Sequence, residues 1–356
     1  MRFKVNLDGG FGEAVSVSAS LVKSSSIAPD AVFLSAENDK VKVEGFNYEM
    51  QVWFEFDAGV TQPGGATLSA SMFGRILQSM RGEVNIEVDN DRAIVFAGKT
   101  RFDVVTLKNG EKPELSKHDE DCVLASVCTK ELVGALQKVI FVPVTKYTTR
   151  YAGVLFEAQV GKLNLVATDG YRLGITSIPC STLEQQSKGL IPITSCRFIM
   201  RILSHTGNND SVSLCITPKL LAVLGEDFGV YAISLLDDYP AYQDIIPSSH
   251  LTAISVSRHW ISEVLRRVSI VNDVVEMEVT GEALRFVSQG NDGIAEDEVT
   301  CYVQGRTQKI VFSAQKLIDA LRVMDAEMVK MYITSALEPI VVEDEGYKYV
   351  FMPIRL

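Results

Sequence analysis

The chain has 356 residues, 47% of them hydrophobic and 22% charged, enough for two or three cores of about 100–150 residues each. The composition is that of a soluble globular protein, and the longest apolar runs are strand-sized, far short of the roughly 18–20 residues a membrane helix needs. A net charge of −11 argues against an outer surface that wraps nucleic acid nonspecifically.

The N-terminal MRFKVNLDGG lacks the apolar core of a signal peptide, so a cytoplasmic location is expected. A helical pattern then recurs along the chain, a large apolar residue followed by another four positions later. Its anchors are Phe11/Val15, Phe73/Leu77, Leu132/Leu136, Phe198/Ile202, Ile261/Leu265 and Leu317/Leu321, spaced by 62, 59, 66, 63 and 56 residues. Six units of about 60 residues follow, each with one amphipathic helix whose anchors share a face. Ser69, Thr129, Thr194, Ser257 and Ser313 stand where the last five helices would be capped. Between the helices, 41–43, 83–88, 93–96, 163–166, 211–216, 275–279 and 330–333 read as strands, punctuated by Gly, Asn and Asp.

Strands that come in groups of three between helices fit an α+β layer of helices on antiparallel sheet better than a parallel βαβ winding. Similar strands close every second unit, at 101–107, 230–235 and 349–356. The first is followed by a charged, Pro-containing linker, 108–121, and the second by a linker through Pro240 and Pro247. Three domains of two units each result, at 1–118, 119–249 and 250–356.

Within the third unit, 166–175 reads V-A-T-D-G-Y-R-L-G-I. Asp-Gly between β-prone runs marks a tight hairpin, which gathers Tyr171, Arg172 and Leu173 at one end. A solvated arginine and a functional one fit this stretch equally well. The helical segments carry −1, +2, +1, +2, +2 and 0 in chain order, leaving −17 for the rest. Either these are solvated helix faces, or the helices share one positive surface that holds a phosphate backbone without reading its sequence.

Six cysteines without C-x-x-C spacing and four scattered histidines give no metal site. The cysteines read as small core residues in a reducing compartment. As an enzyme, the chain would have Asp169 as an acid or Asp237-Asp238 as metal ligands. No Gly-rich phosphate loop, nucleophile elbow or H-x-x-x-H accompanies them, and Asp at a turn is ordinarily a turn former. No catalytic residue, cofactor or metal is expected.

The repeat count, V-A-T-D-G-Y-R-L at 166–173, D-D-Y-P-A-Y-Q-D-I-I-P at 237–247 and the terminal Y-V-F-M-P-I-R-L at 349–356 resemble the bacterial β sliding clamps, the beta subunit of DNA polymerase III. V-E-G-F-N-Y-E-M at 43–50 adds to the likeness, which covers essentially the whole chain in order. The resemblance implies a DNA clamp fold: three similar α+β domains and a head-to-tail homodimeric ring with helices lining the hole. Such a ring encircles double-stranded DNA without regard to sequence and serves as a processivity factor. It tethers the replicative polymerase, the clamp loader and repair proteins through short linear peptides.

Carried over by motif, the peptide pocket between the second and third domains takes Tyr151, Thr168, Gly170, Tyr171, Arg172, Leu173, Pro240, Ile245, Leu337 and Pro339. Val350, Phe351, Met352, Pro353, Ile354, Arg355 and Leu356 complete it. DNA-facing positions are Lys23, Arg75, Lys138, Lys146, Tyr147, Arg150, Arg197, Arg201 and Arg266. The dimer contact falls on Phe102 and Val104 against Ile270 and Val271. The chain departs from the family pattern at Asp244, often basic, and at Tyr171, often His. It also lacks basic residues at 71–72 and 192–195. These departures leave room for an accessory clamp paralogue, and a non-encircling adaptor is the other alternative.

Overall fold

The computed structural model describes residues 1–23, 28–89, 91–107, 123–143, 152–182, 186–205 and 210–355. Among them, six repeats follow one plan, a leading strand, a helix and three further strands. The first has β1 (Arg2–Asn6), α1 (Phe11–Lys23), β2 (Val32–Glu37), β3 (Lys40–Phe46) and β4 (Met50–Asp57), then a short extra strand β5 (Gly59–Gln62). The second has β6 (Gly64–Leu68), α2 (Ala70–Gln78), β7 (Glu83–Asp89), β8 (Arg92–Ala97) and β9 (Thr100–Val105). The third has β10 (Val123–Cys128), α3 (Thr129–Val139), β11 (Gly153–Gln159), β12 (Lys162–Thr168) and β13 (Arg172–Pro179), then β14 (Ser181–Thr182). The fourth has β15 (Ser187–Pro192), α4 (Ile193–His205), β16 (Ser211–Ile216), β17 (Leu220–Leu224) and β18 (Phe228–Ile233). The fifth has β19 (Thr252–Ser257), α5 (Arg258–Val268), β20 (Val274–Val279), β21 (Ala283–Gly290) and β22 (Gly293–Gly305). The sixth has β23 (Gln308–Ser313), α6 (Ala314–Val323), β24 (Met328–Ile333), β25 (Ile340–Asp344) and β26 (Tyr347–Phe351). The α+β expectation holds, with antiparallel pairing along these sheets.

Each helix is amphipathic because its sheet needs one apolar stripe and water meets the rest. The expected anchors are all buried except Phe198, which is half-buried. In the first two repeats the leading anchors meet: Phe11 and Phe73 pack edge to face at 6.4 Å. Ser69, Ser257 and Ser313 cap α2, α5 and α6, their hydroxyls accepting from Met72, Trp260 and Lys316 N–H. Thr129 and Thr194 are not caps. Thr129 is the first residue of α3 and Thr194 the second of α4, past the position from which a hydroxyl caps, and the Thr129 hydroxyl is buried without a partner.

The repeats are tied in pairs by exchange of leading strands. β1 pairs with β7 and β6 with β2. In the same way β10 pairs with β16, β15 with β11, β19 with β24 and β23 with β20. The chain divides into two compact units, Met1–Thr129 with Arg197–Ser234, and Lys130–Cys196 with Leu235–Leu356. The first holds the sheet β5-β1-β7-β8-β9 and the run β10-β16-β17-β18-β4-β3-β2-β6. The second holds one sheet ordered β15-β11-β12-β13-β26-β25-β24-β19-β22-β21-β20-β23. The middle third of the chain is shared between the units because its last strands join foreign sheets, β18 on β4 and β13 on β26.

Cys128, Cys180, Cys196 and Cys301 are free thiols. The expectation of six reduced core cysteines fails at two. Cys128 is exposed, since it ends β10 on the outward side of the strand alternation, and Cys215 is disulfide-bonded. Cys122 and the linker 108–121 lie outside the described residues.

Gly229 of β18 faces Trp53 of β4, and a Cβ there would lie 2.3 Å from the indole Nε1. Gly229→Ala is expected to destabilise the protein by about 1–3 kcal/mol, read as a lower thermal midpoint. Gly281→Ala, which meets nothing within 4 Å, should leave the midpoint unchanged.

Candidate functional site

The Asp-Gly hairpin forms as its sequence dictates. Gly170 takes a φ of 88°, open to glycine at no steric cost. The Asp169 Oδ1 accepts from the N–H groups of Tyr171 and Arg172, both at 2.9 Å. The Thr168 hydroxyl accepts from Gly170 N–H at 3.1 Å and donates to the Arg172 carbonyl at 2.8 Å. The second carboxylate oxygen, Oδ2, accepts from Arg172 Nε at 2.9 Å. Asp169 therefore spends both oxygens on the turn and its arginine.

Strand alternation then sends Arg172 and Leu173 to opposite faces of the sheet. On the helix side, Arg172 donates through Nη1 to Asp319 Oδ2 of α6 at 3.3 Å and through Nη2 to the Phe141 carbonyl at 3.2 Å. Its guanidinium carbon also sits 5.7 Å from the Phe141 ring centroid. Burial opposes the charge, but the Tyr349 hydroxyl and the Asp169 carboxylate outweigh it and hold the pKa above the ordinary arginine value. Arg172, placed in the pocket by resemblance, is thus also a structural hub joining the hairpin, the end of α3 and α6. Phe351 lies on this same face, 5.5 Å from Phe312 and 5.8 Å from Tyr349. Burial pushes the Tyr349 phenol up, and its hydroxyl donates to the Lys316 carbonyl at 3.0 Å.

On the other face Leu173 pairs in register with Val350, and both sit in one buried cluster with Leu155, Val166, Tyr242 and Val341. A 3-10 turn, Tyr242–Ile245, lies over this cluster. The Tyr242 hydroxyl donates to Glu157 Oε2 at 2.9 Å, and burial together with that contact pushes its pKa up to about 12. Around this floor stand exposed apolar side chains, Tyr171, Ile245 and Leu337. Pro240, Pro339, Met352 and Ile354 are half-buried, Thr168 and Pro353 are buried, and Gly170 and Arg355 are exposed. The tail is docked rather than loose: Met352 N–H donates to the Tyr171 carbonyl at 2.9 Å and Ile354 N–H to the Val311 carbonyl at 2.7 Å. Tyr151 and Leu356 lie outside the described residues.

A cavity of about 270 Å³ adjoins the cluster, lined by Ile246, Pro247, His250, Tyr332, Val341 and Lys348 among others. Sequence reading missed Val341 and Tyr332, although Val341 is the register partner of Val350 and alternation from that residue would have found it. Among the described residues no His, Cys, Asp or Glu cluster is able to hold a metal ion. No helix among the described residues is long and apolar enough to cross a membrane.

Of the basic positions, Arg75, Arg197, Arg201 and Arg266 are exposed on α2, α4 and α5. Arg197 and Arg201, four apart, share a helix face, and Arg201 Nη1 donates to the Ser20 hydroxyl at 3.2 Å. Arg266 pairs with Glu263 at 2.7 Å in the open. Lys138 is committed inward, 2.7 Å from Asp325 with its side chain 16% exposed. Lys146, Tyr147, Arg150 and the Lys23 side chain lie outside the described residues. Phe102 and Val104 on β9 are half-buried against their own core, whereas Ile270 is 83% exposed just after α5, with Val271 half-buried beside it.

Three family descriptions match the chain end to end: DNA polymerase III beta subunit, N-terminal domain over residues 1–116, central domain over 126–241 and C-terminal domain over 243–355. The beta sliding clamp of Proteus mirabilis is 24% identical over 339 residues, covering 91% of each chain. That of Caulobacter vibrioides is 25% identical over 346 residues, again covering 91% of each. The crystal structure of the Pseudomonas aeruginosa DNA polymerase sliding clamp with ligand superposes with a TM-score of 0.93 at 20% identity, covering 100% of both chains.

Arg172→Ala should cost about 2–3 kcal/mol, because it strips charged partners of a hydrogen-bonded guanidinium, and Arg172→Lys should recover only part, lacking the fork. Urea midpoints decide both. The Tyr242 phenol has a folded pKa near 12, above the ordinary value of about 10. Its contribution is full below pH 10 and is lost as pH rises toward 12. Stability measured across that window should fall less steeply in Tyr242→Phe.

Proposed function

The chain belongs to the DNA polymerase III beta subunit family and is a DNA sliding clamp, and from that premise we propose that two copies join head to tail around duplex DNA. The observation that carries this reading is a pair of unused edges. β4 pairs with β18 and β13 with β26, each joining the last strand of an odd repeat to the last strand of an even one. The remaining such strands are β22 and β9. Among the described residues, β9 ends its sheet, and 293–300 of β22 pairs only with β21. Within one chain they have no mutual pairing, so a second copy supplies the partner. The contact is heterologous, and two such contacts close a ring. Ile270 and Val271 would add apolar area on one side, and Phe102 and Val104 would stiffen β9 on the other.

The clamp domains run 1–118, 119–249 and 250–356. Arg75, Arg197, Arg201 and Arg266 meet phosphates, supported by their exposure on helices that carry net positive charge on an acidic chain. Ion-paired Lys138 contributes less. The groove over Leu173 and Val350 takes short linear peptides from the replicative polymerase, the clamp loader and repair proteins, seating their apolar side chains against Ile245 and Leu337. Two such side chains buried there supply roughly 3–6 kcal/mol before ordering costs, which suits exchangeable partners. The protein performs no chemistry of its own and works in the cytoplasm. Asp169, the strongest acid candidate, has both oxygens occupied within the turn.

Loaded by a clamp loader with ATP, the protein should stay on closed circular DNA in high salt and be released when the circle is cut. Equal, salt-labile binding to circles and linear DNA would sink the encircling reading. In solution the mass should be that of two chains, and a stable monomer would favour an adaptor. Ile245→Ala combined with Leu337→Ala should weaken binding of an apolar-ended partner peptide about tenfold or more and lower the yield of loading, while rings already loaded stay on circles as long as the wild type.

A further inference from the structure

On α5 the buried stripe is Ile261, Val264, Leu265 and Val268. Trp260 lies outside that stripe and is 58% exposed, so the fold makes little use of the larger part of its indole surface. The exposed His259 ring packs edge-on against it, with centroids 4.9 Å apart at 64°, which holds the indole in place from one side. Next to this pair a cleft of about 160 Å³ runs between α5 and α6, lined by Arg258, His259, Ser262, Glu263, Arg266 and Arg322.

Three of those residues are arginines, and the one acid, Glu263, is already balanced by Arg266 at 2.7 Å. Two positive charges remain. Arg258 is fixed by hydrogen bonds from Nε to the Ala326 carbonyl at 3.0 Å and from Nη1 to the Leu321 carbonyl at 3.4 Å. Arg322 is exposed in the last turn of α6. A cationic cleft thus adjoins an exposed aromatic pair.

We propose that Trp260, His259 and the neighbouring arginine cleft form a binding site for unpaired nucleotides, the indole stacking on a base and the arginines holding the adjoining phosphates. In a duplex the base faces are covered by their neighbours, and only groove edges and phosphates are open. A flat indole finds its complement where a strand is unpaired. Stacking is tolerant of sequence because every base has a π face, which matches a clamp that reads none. The site rests on the reading that helix faces of this clamp meet DNA, and it adds single-stranded DNA, as beside a primer end, to the ligand.

The test is intrinsic fluorescence of the full-length protein, whose two tryptophans are Trp53 and Trp260. A short oligothymidine should quench emission in low salt, and a blunt duplex of equal length should not. Trp260→Ala should weaken oligothymidine binding about tenfold, with Trp260→Phe retaining most of it, both read by anisotropy of labelled DNA. Arg322→Ala should lower the slope of log affinity against log salt by about 0.7. Unchanged oligothymidine affinity in Trp260→Ala, or equal quenching by duplex, would overturn the proposal. So would silence of both oligonucleotides, the outcome for a patch that docks another protein. Retention on circular DNA separates the two readings. Trp260→Ala that stays on circles but loses oligothymidine supports the site, whereas keeping both removes the site and leaves the clamp. A wild-type protein that leaves circles yet is quenched by oligothymidine alone would keep the site and remove the ring.

Discussion

Backbone hydrogen bonding between strands far apart in sequence is the constraint on which the rest of this structure depends. A repeat of one helix and four strands covers its apolar stripe only when its partner's leading strand completes the sheet. β1 sits on β7, and β6 sits on β2. The same ladder joins β4 to β18 and β13 to β26. Backbone pairing reads no side chain, so surface positions are free to diverge while the pairing plan persists. A chain can therefore share an architecture with relatives that match it at only a quarter of their positions.

The period of two in a strand also explains how one short segment serves two ends. Arg172 faces the helices, where it ties Asp169, Asp319 and the Phe141 carbonyl together. Leu173, one residue on, faces the linker side and packs with Val350. Stability and recognition are thereby assigned to adjacent residues without sharing a face. The hairpin turn can be rigid while Tyr171, at its tip, stays exposed with the Lys316 ammonium 5.1 Å from its ring centroid.

Much of this was legible before any coordinates. Six helices were visible because apolar anchors four apart must share a face, and the anchors are buried as that argument requires, apart from half-buried Phe198. The Asp-Gly turn was visible because positive φ favours glycine. Less visible was what depends on direction across a sheet. Composition does not tell which face Arg172 takes, so its ties to Asp319 and the Phe141 carbonyl were not legible from the hairpin alone. Hydroxyl residues near helix starts were overread at Thr129 and Thr194, since a cap stands immediately before the helix and these two lie within its first turn. Exchange of leading strands left no local trace, because the partners β7 and β2 lie tens of residues away and no short window contains both sides of either pairing. Lys138 was expected to face DNA, and its ion pair with Asp325, nearly two hundred positions later, has no local signal in the sequence.

The exchanged strands also set a timetable for synthesis. Phe3 meets Val60 within its own repeat but lacks its second neighbour until Ile86 has been made, so a growing chain must carry a half-paired apolar strand while the ribosome adds part of another repeat. Contacts of such long sequence separation are slow to form and leave strand edges open meanwhile. Maturation should then advance in steps of two repeats, each released from the risk of wrong pairing once its second sheet is complete. A truncation after an odd repeat would leave a helix-bearing sheet without its exchanged leading strand, whereas one after the second or fourth repeat would open only the edge that β18 covers on β4 or β26 covers on β13.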